Sequence, residues 1–349
     1  MSTSRGKQIG TILSYSAFIL SGCFIFSPLH RSENIIVSFI SAFLVGFTAL
    51  FIILFLDKKL FQKVKYPLSF YVIFCIFISI LSVLSSLMLI TEIIKDVAYV
   101  SGRNISYFYY ILISIAVLSV SFYLCSNGQK GIFRFCIISA TSFLFMIILT
   151  LLSFATTKNI VMDMDFKDAG AIISSAKAGA VTGLYLTADS ILYIFCFKNL
   201  IGKEKLPEKQ IITGFFISFI LIGVYNITTS LIFGKTLSKS ISDPDYALVK
   251  LIPGTDFTEI ISAIRIISFI IKSSVYIFCS SKVLGKIFSR TKKVTTLLIL
   301  GHYLFIPIIV IILTLFDKSL GYGAFQHLIY PAVILLSLFF LFAGTKKKL

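Results

Sequence analysis

Ten apolar runs, each close to the ~20 residues that an α-helix needs to cross the hydrocarbon core of a bilayer, leave this chain few folds to choose from. They fall at 8–29, 34–56, 67–91, 105–125, 132–155, 170–198, 210–233, 257–284, 294–316 and 322–344. Hydrophobic residues make up 57% of the 349 and charged residues 13%, a balance that excludes a water-soluble globular domain. The expected fold is therefore an all-α polytopic membrane protein, with residues 1–349 forming a single transmembrane domain. The first run has no small-residue cleavage site and reads as a retained span rather than a signal peptide.

A formal net charge of +17 invites a nucleic-acid reading, but the placement of the charges points to the membrane. With the N-terminus in the cytoplasm, the inner connections carry 20 bases (Arg5 and Lys7 through to Lys346–Lys348) against three acids, Asp57, Glu204 and Glu208. The outer connections carry nine bases and eleven acids, among them Asp163, Asp165, Asp168, Asp243 and Asp245. That segregation is the positive-inside pattern for two cytoplasmic termini. An odd number of spans would scramble it, so the charges support ten independently of hydropathy, and no nucleic-acid partner is expected.

Ten spans divide into two halves of five, 8–155 and 170–344. An odd number per half turns the second upside down relative to the first, the arrangement of inverted-repeat transporters. In such folds the leading span of each half is interrupted near the bilayer midplane. Both leading spans here are weak helix formers at mid-length. The first carries Ser21, Gly22 and Cys23, with Pro28 near its outer end, and the sixth carries Gly179, Thr182, Gly183 and Tyr185 ahead of Thr187 and Asp189. Two readings stand. Broken helices would free main-chain N–H and C=O groups to hold the carboxylate and ammonium of a small ligand. Alternatively, the small residues let two helices pack closely. On the first reading the ligand-binding residues are Ser21, Gly22, Cys23, Gly179, Thr182, Gly183 and Tyr185.

Four ionisable residues lie well inside or near the ends of spans without an obvious loop assignment: Lys177, Asp189, Arg265 and Lys272. A charge at membrane depth needs a partner or a wet cavity. Asp189 and Lys272 lie deepest and are the candidates for ion or proton coupling, with a satisfied ion pair as the structural alternative. Lys177 is near enough to the surface to snorkel. The six cysteines sit in or beside apolar runs without CxxC spacing, and His30, His302 and His327 form no ligand pattern, so neither a metal site nor a cofactor is expected. No nucleotide loop, HExxH or nucleophile motif marks an enzyme.

The opening SRGKQIGTILSYSAFILSGCFIFSPL, the sixth-span run KAGAVTGLYLTADSILYIF, the pair Phe233–Gly234 and the eighth-span run RIISFIIKSSVYIFCSSKVLGKIF together resemble the spore germination permease family. These are the B subunits of GerA-type nutrient germinant receptors, within the amino acid, polyamine and organocation (APC) superfamily. The likeness runs over the whole chain in length and span count. The short basic, Gln-containing start falls on Arg5, Lys7 and Gln8, the small-residue break on Ser21–Cys23, and the eighth-span lysine on Lys272. Two features depart from the family pattern. Thr187 and Ala188 precede Asp189 where an aromatic and a glycine are usual, and there is no Trp ahead of Lys272.

The resemblance implies a LeuT- and APC-like ten-helix inverted repeat with broken first and sixth helices. It further implies a small nutrient, often an amino acid, bound at the midplane in the bacterial cell membrane, or in the spore inner membrane of a sporulating host. Binding would be relayed to A and C partner subunits. The alternative is an autonomous proton-coupled amino acid permease using the same pocket.

Overall fold

The computed structural model describes residues 4–26, 29, 32–60, 107–157, 168–188, 190–201, 207–241, 244–254 and 257–287. Nine α-helices run through them: α1 (Ser4–Phe26), α2 (Ile35–Leu60), α3 (Tyr107–Ser126), α4 (Gly128–Thr156), α5 (Ala169–Ala188), α6 (Ser190–Ile201), α7 (Glu208–Ser240), α8 (Pro244–Val249) and α9 (Thr258–Ile287). No strand occurs among the described residues. Four helical stretches, Ile35–Phe55, Gly128–Thr156, Glu208–Gly234 and Thr258–Cys279, are long and apolar enough to cross a membrane. They fit a membrane protein, as their composition led us to expect. The expected spans at 67–91, 294–316 and 322–344 lie outside the described residues.

Helix boundaries follow local chemistry. Asn34 starts α2 as an N-cap, its Oδ1 accepting from the Val37 N–H at 3.2 Å. Asp168 does the same for α5, accepting from the Gly170 N–H at 2.8 Å. Between α3 and α4 the chain turns at Gly128, whose φ of +70° is a left-handed conformation suited to glycine. One feature departs from the expected spans: α7 runs past its expected end through a kink at Gly234, with φ 66° and ψ 173°.

By its internal contacts the chain divides into two compact units. One comprises Met1–Phe51, Cys136–Ser190 and Pro207–Ser268; the other comprises Ile52–Phe135, Ile191–Leu206 and Phe269–Leu349. These units interleave in sequence, unlike the two contiguous halves expected for a repeat. A repeat relates sequences to one another, whereas a compact unit is a packed body, so the divisions need not coincide.

In the first unit α1 packs along α7. Ser16 Oγ donates to the Gly214 carbonyl at 3.1 Å, and Ser218 Oγ donates to the same carbonyl at 2.7 Å. The α2–α7 contact is aromatic: Phe43 lies 5.9 Å from Phe215, 5.5 Å from Phe216 and 5.8 Å from Phe219 between ring centroids. In lipid such contacts draw on close packing more than on exclusion of water, because acyl chains are as apolar as Phe. In the second unit, Phe133 meets Phe197 at 5.5 Å and Tyr193 meets Phe197 at 4.7 Å. There, too, Cys125 Sγ donates to the Ser274 carbonyl at 3.2 Å. All five described cysteines are buried and none forms a disulfide.

Candidate functional site

The small residues of the sixth span form a helix–helix contact. α5 is continuous from Ala169 to Ala188, so the chain does not unwind at Gly179–Gly183. This corrects the break expected there. Gly179 and Gly183 are buried because their Cα atoms lie on the backbone of α2. A Cβ on Gly179 would fall on the Ser38 carbonyl oxygen, and one on Gly183 on the Ala42 carbonyl oxygen. Gly46 completes the row, its Cβ position lying 3.2 Å from the Gly183 oxygen and 3.2 Å from Thr187 Cγ2. Two hydrogen bonds hold the ends in register, from the Asn34 N–H to Ser175 Oγ at 2.8 Å and from Ser41 Oγ to the Ala176 carbonyl at 2.7 Å. Glycine costs a helix about 1 kcal/mol relative to alanine. The close backbone approach, with its Cα–H···O contacts, compensates.

α1 is likewise helical through Ser21, Gly22 and Cys23, a second correction to the expected breaks. These three residues are buried, and Ser21 Oγ donates to the Phe18 carbonyl at 2.7 Å within its own helix. Asn226 of α7 is fully buried beside Cys23, with Nδ2 3.9 Å from Sγ and donating to the Ile222 carbonyl at 3.0 Å. Its Oδ1 accepts no hydrogen bond from any described residue.

α5 and α6 are separated only by Asp189, which lies outside the described residues. On either side of it the first unit places Thr187, whose Oγ1 donates to the Gly183 carbonyl at 2.7 Å, and Ser190, whose Oγ lies 2.7 Å from the Tyr15 hydroxyl. Tyr15, Thr187 and Ser190 are all fully buried. The Tyr15–Ser190 bond therefore ties the start of α6 to the middle of α1.

Asp189 falls outside the described residues, and so does any pairing it makes. Lys272 is buried in α9 of the second unit, with Ser273 and Ser274 next to it. Thr182 is buried and satisfied within α5, donating to the Ala178 carbonyl at 2.9 Å; Tyr185 is buried as well. Lys177 is exposed. Arg265 has a definite partner, its Nε lying 3.4 Å from Asp245 Oδ2.

No protein-family model matches the chain, and no curated protein matches it.

Sequence reasoning missed Tyr15, Asn226 and the Asp245–Arg265 pair. Tyr15 and Asn226 are polar residues in mid-span and could have been flagged by that position alone. Asp245 could not, because its loop reads as solvated until α8 is seen to be buried.

Proposed function

We propose that this protein is a ten-span, inverted-repeat membrane protein that binds a small nutrient, an amino acid by chemistry, beside the buried Tyr15–Ser190 pair. We further propose that it acts as the sensing subunit of a spore germination receptor with A and C partner subunits. The observation that supports the binding site is the hydroxyl pair of Tyr15 and Ser190, 2.7 Å apart and fully buried, which joins the middle of α1 to the residue that follows Asp189. Polar side chains inside a span are costly and mark functional positions by default, and paired hydroxyls can both donate to a carboxylate and accept from an ammonium.

The inverted repeat is supported by the way packed helices exchange. α2 and α7 are antiparallel: Phe43 faces Phe219 at 5.8 Å and Phe47 faces Phe215 at 6.0 Å, while a Cβ on Gly223 would lie 2.7 Å from the Phe39 ring. A twofold axis through Phe43 and Phe219 carries the Phe39–Gly223 contact onto Phe47–Phe215. Any antiparallel pair has such a local axis, which need not relate the flanking helices. Here α7 is flanked by α1, the expected first span, and α2 by α5, the first part of the expected sixth. A five-plus-five repeat requires that exchange. The germinant role rests on the sequence resemblance.

The test is a thermal-shift screen of the purified full-length protein against the twenty amino acids. A ligand at a hundred times its Kd adds about 2.7 kcal/mol of stability. The expected result is stabilisation by one chemical class, lost in Ser190→Ala. No stabilising amino acid, or one whose effect survives Ser190→Ala unchanged, refutes the site. Uptake of the ligand into liposomes by this protein alone would favour the permease over the sensor.

A further inference from the structure

The chain between α7 and α9 is built differently from an ordinary connection. It ends at Gly254, whose φ of 76° is a conformation suited to glycine. Within it α8 buries Pro244, Asp245, Tyr246, Leu248 and Val249. Three polar contacts fasten this segment to the first unit. Ser153 Oγ of α4 donates to the Leu248 carbonyl at 2.9 Å, Thr156 Oγ1 to the Leu251 carbonyl at 3.4 Å, and the Tyr246 hydroxyl lies 2.8 Å from Ser262 Oγ of α9.

One charge is carried inside. The Asp245 side chain is 4% exposed and meets Arg265 through Oδ2 at 3.4 Å, with the guanidinium 5.3 Å from the centre of the Tyr246 ring. Asp245 Oδ1 accepts no hydrogen bond from any described residue. A carboxylate taken out of water needs good pairing at both oxygens to repay its desolvation, and Asp245 has one contact, a long one.

We propose that α8 and the turn that follows it, residues 244–254, form a strap, and that the charge of Arg265 keeps it seated by neutralising the buried Asp245 carboxylate. With Arg265 charged and in place, α8 stays packed on α4 and α9. With that charge removed, the carboxylate is returned to water, and α8 leaves with it while α4 and α9 stay helical. The strap is a device of the first unit alone and does not depend on the ligand reading above.

The experiment places Val249→Cys, a buried position on α8, in the full-length protein and measures its labelling by a membrane-impermeant maleimide. The native buried Cys23 of α1 is followed in the same mass spectra. Adding Arg265→Gln should raise Val249→Cys labelling at least tenfold without changing Cys23. Adding Asp245→Asn to that protein should bring labelling back to within about threefold of the starting rate, because no buried charge remains to be hydrated.

Unchanged labelling in Arg265→Gln overturns the proposal. So does failure of Asp245→Asn to suppress it, which would make Arg265 a packing residue, and so does parallel exposure of Cys23, which would mean the whole unit opens. Should Arg265→Gln not accumulate, hydrogen exchange of the unaltered protein decides. Amides 245–251 exchanging as a block at least tenfold faster than those of 258–268 support the strap; equal rates overturn it.

Discussion

Asp245 lies outside the four stretches that are apolar enough to span a membrane, yet it is buried. Burial pushes its carboxyl above the ordinary carboxylate range, and the neighbouring Arg265 offsets part of that rise. A folded-state pKa above the unfolded one means that the folded form holds the proton more tightly. The stability this lends is complete in acid, below the unfolded carboxyl's titration, and is lost as pH rises through the raised value. Asp245→Asn, which is always neutral, should therefore match the unaltered protein in Tm at acid pH and exceed it near neutrality. The expected gap is on the order of 2 °C for each kcal/mol. Thermal unfolding of both proteins across that range is the check, and a gap that is constant or reversed means Arg265 more than repays the burial. Arg265 could be flagged from sequence as an intramembrane charge needing a partner. Which acid supplies it depended on a buried turn of helix that hydropathy scores as loop.

Between elements, the α2–α5 contact decides what Gly179 and Gly183 are for. Because the Gly183 Cα rests on the Ala42 carbonyl of a neighbouring helix, even one methyl group has no room. Gly183→Ala should cost about 1–3 kcal/mol, as overpacking does, and should lower the thermal midpoint of the protein in detergent. Gly128→Ala, with nothing within 4 Å of its Cβ position, should pay only for its positive φ of +70°. Equal losses at the two positions would mean that α2 and α5 can move apart cheaply. The sequence displayed the small residues plainly but could not say whether they mark unwinding or close approach, because the same glycines weaken a lone helix and strengthen a packed pair. Packing prevailed at Gly179–Gly183. Tyr15 went unnoticed because its partner is 175 positions away.

At the scale of the whole molecule, helix content and membrane character were legible because apolar runs of spanning length admit no other fold class. Boundaries were read to within a few residues where a cap such as Asn34 or Asp168 fixes them. Topology makes its own prediction: both termini and the basic connections should face the cytoplasm. Single cysteines replacing Lys7, Lys130 and Lys209, all exposed, should react with an impermeant thiol reagent only in inside-out vesicles. One at Lys250, also exposed, should react only in right-side-out vesicles. Any exchange of sides among these four would dismantle the ten-span count. The backbone-on-backbone seam of α2 and α5 also supplies an internal ruler. Spin labels at Ile40 and Ile173, exposed positions on those helices, should keep one separation in every state of the protein. Whatever a ligand rearranges can then be measured from that fixed baseline.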